Sequence, residues 1–268
     1  MRNHGCVPRI VTLVTRLCAA GVLLTALGLG GTGTATAATP PTAQQTVPIS
    51  SVGTLFFPSV LGLFPLLHFP HFCSASVVHS ASRDLVITAA HCVYGTGPTI
   101  EFVPGYDKGA APYGVWDARR IYIDPAWKKG FDTRHDVAIL RVAPRAGRKI
   151  EDVVGASPLG VPHAGTNVTV LGYKLGSGDR PLTCTNGLYL TDGYSSFDCA
   201  GYTDGVSGGP WLQSGSVVGV TGGLEQGGCG EYAEYSAPFG DDVAALLARA
   251  EAGGPGDVAP LGWLQKSC

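Results

Sequence analysis

Three short segments of the 268-residue sequence carry side chains that could act together in chemistry: Thr88-Ala89-Ala90-His91-Cys92, His135-Asp136-Val137-Ala138-Ile139-Leu140 and Gly205-Val206-Ser207-Gly208-Gly209-Pro210. A serine hydroxyl is a weak nucleophile at neutral pH, so it needs a neighbouring base to take its proton. Imidazole suits that role because its pKa lies close to working pH. The imidazole in turn needs a buried carboxylate to hold it in one tautomer. In this pattern Ser207 attacks, His91 shuttles the proton and Asp136 orients His91. A developing oxyanion needs preorganised N–H donors, and the backbone amides of Gly205 and Ser207 are the candidates. Glycine at 205, 208 and 209 leaves room for a substrate backbone and permits φ > 0. Asp132 is the rival carboxylate, but it lacks the apolar run behind Asp136 that would bury the group. Singly, each segment reads as a strand end or a turn. Their joint occurrence favours catalysis.

Elements that could position these residues are short. Apolar or β-branched runs fall at 76–79, 84–88, 100–103, 115–123, 137–142, 168–173, 187–190, 210–212 and 217–221. Gly/Pro-rich turns separate them, as in an all-β sandwich or barrel. Residues 49–72 hold five Phe but also three Pro, so they read as one or two short strands with irregular links. The span 143–162 is a plausible crossover between two halves. One segment differs: 241–252 places Val243, Leu246, Leu247 and Ala250 on one helical face, with two Asp at its start and Gly253-Gly254 at its end.

Composition agrees with a folded chain: 45% hydrophobic, 14% charged, formal net charge −2. No run of one charge points to a nucleic-acid partner or a membrane surface. Residues 1–38 read as a cleaved signal peptide, with Arg2, Arg9 and Arg16, an apolar stretch, and small residues at Ala35-Thr36-Ala37. Residues 39–48 read as a flexible start. The expected product is a secreted, extracellular monomer with no membrane attachment. It keeps Cys73, Cys92, Cys184, Cys199, Cys229 and Cys268, and an even number in an exported chain implies disulfides. No Cys-x-x-Cys pair occurs, so a metal site is disfavoured and none is expected. His68, His71 and His79 read as ordinary histidines, and no cofactor is expected. Cys184 and Cys199 flank a hairpin turning near Thr191-Asp192-Gly193. Proximity favours Cys184–Cys199, which leaves Cys229–Cys268.

Here the sequence resembles the chymotrypsin/trypsin-like serine peptidases. Likeness lies in the order His91, Asp136, Ser207, in His71-Phe72-Cys73 with the strand that follows, in the pair Cys73 and Cys92, in Val217–Gly223 (VVGVTGG), and in the helix at 241–252. It spans about residues 50–252. The resemblance implies two six-stranded antiparallel β-barrels with a C-terminal helix. Barrel one would cover about 49–145 and barrel two about 163–240, within a peptidase domain at 49–252 followed by a tail at 253–268. It implies a disulfide Cys73–Cys92, an endopeptidase activity, and a protein or peptide substrate bound near Gly201, Tyr202, Asp204, Thr221, Gly222 and Gly223. It also keeps a second pairing open, Cys199–Cys229 with Cys184–Cys268.

The chain departs from that family in two places. Most members carry Asp immediately before the serine, and in activatable zymogens it pairs with a new N-terminal ammonium. Val206 stands here and cannot, so such a switch is not expected. Many members have Ser-Trp-Gly where Thr221-Gly222-Gly223 stands; the Thr221 hydroxyl is then expected to reach Asp136. Tyr202, Asp204 and Glu225 are candidates for the pocket wall, which does not settle specificity. The rival classes are a catalytically inactive homologue that binds a protein, and an esterase using the same acyl-transfer machinery.

Overall fold

The computed structural model describes residues 39–58, 71–98, 100–175 and 180–261. The expected signal segment 1–38, His68 and Cys268 lie outside the described residues. Strand β1 (Gln44–Gln45) precedes six strands: β2 (Val52–Phe56), β3 (Cys73–Val77), β4 (Leu85–Thr88), β5 (Glu101–Pro104), β6 (Trp116–Ile123) and β7 (Ala138–Val142). These six close an antiparallel barrel in the order β2-β3-β4-β7-β6-β5. Their inward residues are mostly Val, Ile, Leu and aromatic side chains over short lengths, which suits a pleated surface buried against its own interior. Leu55, Val77, Leu85, Ile87, Phe102, Ile121, Ile139 and Leu140 are fully buried in one core. Gly53 marks where β2 meets β5: a Cβ there would stand 2.2 Å from the Val103 carbonyl oxygen.

A short helix α1 (Pro125–Gly130), not anticipated from the sequence, follows β6. Asp124 caps it by accepting from the Ala126 N–H at 2.7 Å, and Pro125 occupies its first turn. Helix α2 (Glu151–Val154) lies in the crossover.

The second half contains β8 (Asn167–Gly172), β9 (Leu182–Gly187), β10 (Tyr189–Thr191), β11 (Tyr194–Asp198), β12 (Pro210–Gln213), β13 (Ser216–Val220) and β14 (Ala233–Ser236). They form a five-stranded sheet, β1-β9-β8-β12-β13, and a three-stranded sheet, β10-β11-β14. A bridge from Thr221 to Ser236 joins the two. The run expected at 187–190 splits between β9 and β10, β11 is the returning arm of the hairpin expected between Cys184 and Cys199, and β14 was not anticipated. Thr191 pairs with Tyr194, so the hairpin loop is Asp192-Gly193, with φ of +49° and +85°. Two positive φ values match the two-residue turn that the strand twist prefers, and Asp-Gly tolerates it.

Cys73 is bonded to Cys92, and Cys184 to Cys199. The second bridge is the pairing that proximity favours, and it excludes Cys199–Cys229. The proposed partnership of Cys229 with Cys268 lies outside the described residues.

Residues 39–48, expected to be flexible, instead run along the second half. The Ala43 N–H donates to the Ala200 carbonyl at 2.8 Å, the Ala200 N–H to that of Pro41 at 2.8 Å, and the Thr46 N–H to that of Pro181 at 2.9 Å. Between Pro41 and Pro48 every residue keeps its N–H, so the segment can add to the β9 edge. Helix α3 (Asp241–Ala252) falls where the periodicity placed it. Val243, Leu246 and Ala250 are buried on the first barrel. Gly253 ends the helix in the left-handed region at φ +71°. Arg141 of β7 donates to the Ala250 carbonyl at 2.6 Å, and Arg249 to the Ile123 carbonyl at 2.7 Å. Downstream, Asp257 N–H donates to Ile121 at 2.7 Å. Among the described residues no helix is long and apolar enough to cross a membrane.

Candidate active site

Strand β4 ends at Thr88, and a single 3₁₀ turn, Ala90–Cys92, then presents His91. The bond from Cys92 to Cys73 on the neighbouring strand fixes that turn. Asp136 follows a second 3₁₀ turn, Thr133–His135, just before β7. Asp132 caps this turn by accepting from Arg134 N–H at 3.0 Å, which is where the rival carboxylate is used.

Asp136 is fully buried. Its Oδ1 accepts from the His91 backbone N–H at 2.8 Å. Its Oδ2 lies 2.7 Å from His91 Nδ1 and accepts from the Gly223 N–H at 2.8 Å. An ionised carboxylate can only accept, so this network assigns the imidazole proton to Nδ1 and leaves Nε2 as the lone-pair nitrogen. The expected bond from Thr221 to Asp136 is not made. Thr221 Oγ1 accepts instead from Trp211 Nε1 at 3.0 Å. Side chains along an extended chain alternate in direction, so Thr221 faces Trp211 while the next position, Gly222, faces Asp136, where a Cβ would stand 3.0 Å from Oδ2.

Ser207 lies in the loop before β12. His91 and Ser207 line the same cleft of about 430 Å³, with Phe57, Phe72, Tyr94 and Leu175. Among the described residues, the backbone N–H groups of Gly205 and Ser207 donate to no protein acceptor. The glycines here are required by space. A Cβ on Gly205 (φ +93°) would stand 2.6 Å from Leu175 N, and one on Gly208 (φ +77°) 2.0 Å from Thr88 Oγ1.

A smaller pocket of about 110 Å³ adjoins Ser207. Tyr202, Asp204 and Thr221 line it, as does Glu225. Gly201 does not; a Cβ there would meet Thr42 of the N-terminal segment at 3.5 Å. Gly222 and Gly223 pack on Asp136 rather than in the pocket, because the register of this stretch turns them toward the first barrel. One lining residue was missed from the sequence. Glu234 of β14 is 7% exposed, and burial pushes its carboxyl up to about 8. Among the described residues no Lys or Arg lines this pocket. Its rim includes Glu225 and Gln226, both held at positive φ, +50° and +52°.

Cys73, His91 and Cys92 form a cluster of metal-ligating types, but the two sulfurs are bonded to each other and offer no thiolate. His71 packs against the Phe56, Tyr106 and Tyr173 rings, and His79 pairs with Glu151.

A closed six-stranded barrel, a second β half and a buried His–Asp pair facing a serine loop define a chymotrypsin-like serine peptidase. The trypsin family profile matches residues 65–240. The chain belongs to the trypsin family and is a serine-type endopeptidase. Among solved structures, the protease Anisep from Arthrobacter nicotinovorans is 27% identical, with a TM-score of 0.66 over 78% of this chain and 99% of that one. The thermostable serine protease AL20 from an extremophilic microorganism is 25% identical, with a TM-score of 0.64 over 76% and 97%. A Glu endopeptidase shares the fold at 16% identity and a TM-score of 0.60, over 79% and 97%. No curated protein sequence matches the chain.

Proposed function

We propose that the protein is exported and hydrolyses peptide bonds through an acyl-enzyme on Ser207. The observation that carries this reading is the fully buried Asp136, which holds His91 through its ring and its backbone at 2.7 and 2.8 Å. His91 Nε2 takes the Ser207 hydroxyl proton as Oγ bonds to the substrate carbonyl carbon. The carbonyl oxygen becomes an oxyanion held by the N–H groups of Gly205 and Ser207. The imidazolium returns its proton to the leaving amine as the C–N bond breaks. His91 then deprotonates a water that attacks the ester, releasing the acid and restoring Ser207. Asp136 stabilises the imidazolium throughout.

The pocket beside Ser207 is where the side chain preceding the cleaved bond would sit. Asp204, Glu225 and Glu234 supply carboxyl groups there without a competing cation, which favours a lysine or arginine side chain. Export follows from the basic and apolar leader at 1–38, and the two disulfides suit an oxidising compartment. The working unit is the peptidase domain 49–252, a monomer acting on a protein or peptide. The test is labelling of purified protein with a fluorophosphonate, together with peptide cleavage. Labelling and cleavage lost together in Ser207→Ala support the reading; a folded wild type that does neither would refute it in favour of a binding module. Cleavage of esters without peptides would identify an esterase.

A further inference from the structure

We propose that Ser74 is a positioning residue that preorganises the oxyanion hole from the first barrel; this rests on the reading of Gly205 and Ser207 as its donors. A trans peptide is planar, so each N–H points opposite the carbonyl of its own unit. The Gly205 N–H is therefore aimed by the Asp204 carbonyl, and the Ser207 N–H by that of Val206. Four consecutive carbonyls in this loop are all held. That of Asp204 accepts from Leu175 N–H at 2.7 Å, and that of Val206 from Gly209 N–H at 2.9 Å. The other two belong to Ser74. Its Oγ donates to the Gly205 carbonyl at 2.9 Å, and its N–H to the Ser207 carbonyl at 2.7 Å.

The hydroxyl has no freedom to do otherwise. Ser74 is fully buried, and its Oγ accepts from Tyr173 N–H at 2.7 Å, which leaves its own proton for Gly205. It is the one side-chain contact among the four, and it reaches across from β3. The loop's own side chain at this point, Val206, is apolar and packs on Gly172, so it anchors by shape alone. Without the hydroxyl, the Gly205 carbonyl and the Tyr173 N–H are left unpaired out of reach of water. The peptide unit released in this way lies between the two donor units and is otherwise tied only by the Val206 N–H to the Thr203 carbonyl at 3.3 Å, so rotation at Gly205, the softest torsion in the loop, changes the aim of one oxyanion donor relative to the other.

Ser74→Ala and Ser74→Gly test this, with Ser74→Thr as the variant that keeps the hydroxyl. The readouts are kcat, KM and affinity for a peptidyl aldehyde, whose adduct with the serine carries an oxyanion. In Ala and Gly variants kcat falls about 10- to 100-fold, short of the 10²–10³ seen when a donor is lost outright. KM stays within about twofold, aldehyde affinity falls in parallel with kcat, and Ser74→Thr recovers most of the rate. Wild-type kcat in either variant, a loss confined to KM, a Ser74→Thr enzyme as slow as Ser74→Ala, or failure of both truncations to fold would overturn the proposal. Ser207→Ala run alongside separates the two levels: turnover surviving there sinks the nucleophile assignment itself, whereas an inactive Ser207→Ala beside a fully active Ser74→Ala sinks only the role of Ser74.

Discussion

Glu234 gives the sharpest prediction about substrate choice. With its carboxyl pushed up to about 8 by burial, the empty pocket is protonated at neutral pH. A cationic side chain binds the carboxylate form, so below that value it must first displace the proton. Two pH units below, the displacement costs about 2.7 kcal/mol. The ratio of kcat/KM for a lysyl substrate to that for an uncharged methionyl substrate of similar length should therefore rise up to about tenfold per pH unit, then level off near pH 8. Taking this ratio cancels the titration of the triad, which acts equally on both substrates. At the plateau, a hydrogen-bonded carboxylate–cation pair contributes about 1.5–3 kcal/mol, a discrimination of about 10- to 150-fold. Glu234→Gln keeps the shape and removes the charge, so the ratio should collapse toward that of the exposed Asp204 and Glu225 and lose its slope. The assay is a pair of fluorogenic peptides differing at one residue, read across about pH 5.5 to 9.5. A slope unchanged in Glu234→Gln, or a wild-type ratio flat across that range, would refute the placement of Glu234 as the charge that reads the substrate.

Ser207→Ala and His91→Ala should each lower kcat by about 10⁴ or more while the circular dichroism and melting curve stay near wild type. Asp136→Asn should cost a similar factor, because an amide donor facing His91 Nδ1 favours the tautomer with the proton on Nε2, and burst kinetics will show slow acylation. Replacing Cys73 and Cys92 with Ser opens a 19-residue loop and should cost about 3 kcal/mol, read as a melting point lower by roughly 6–12 °C. Adding one residue ahead of the processed N-terminus should leave kcat/KM unchanged, because Val206 has no charge for an ammonium to meet; a large loss would contradict this.

The parts legible in the sequence are those where chemistry restricts residue type. His91, Asp136 and Ser207 each need one side chain, and Gly205 and Gly208 occupy places where a Cβ collides. Helix α3 showed because its apolar spacing is long enough to set a period. The rest depends on register or on backbone groups, which leave no mark on residue type. The third hydrogen bond to Asp136 comes from the Gly223 N–H, a donor that almost any residue could supply, so Thr221 was the natural but mistaken choice. Strand β14 is four residues long and carries a glutamate, which reads as a polar loop until its pairing with β11 turns that side chain inward. Ser74 looked like one more strand residue; its importance arises from loops about 100 and 131 positions away.

The two ends of the domain are exchanged. The segment at 41–46 lies on the second half, whereas α3 and the stretch through Asp257 and Ala259 lie on the first barrel. A ribosome therefore delivers the first barrel well before the helix that covers it, and that barrel must wait, partly uncovered, until synthesis is nearly complete. For the same reason a single cut in the crossover at 143–162 would not free the halves, since each remains wrapped by polypeptide belonging to the other.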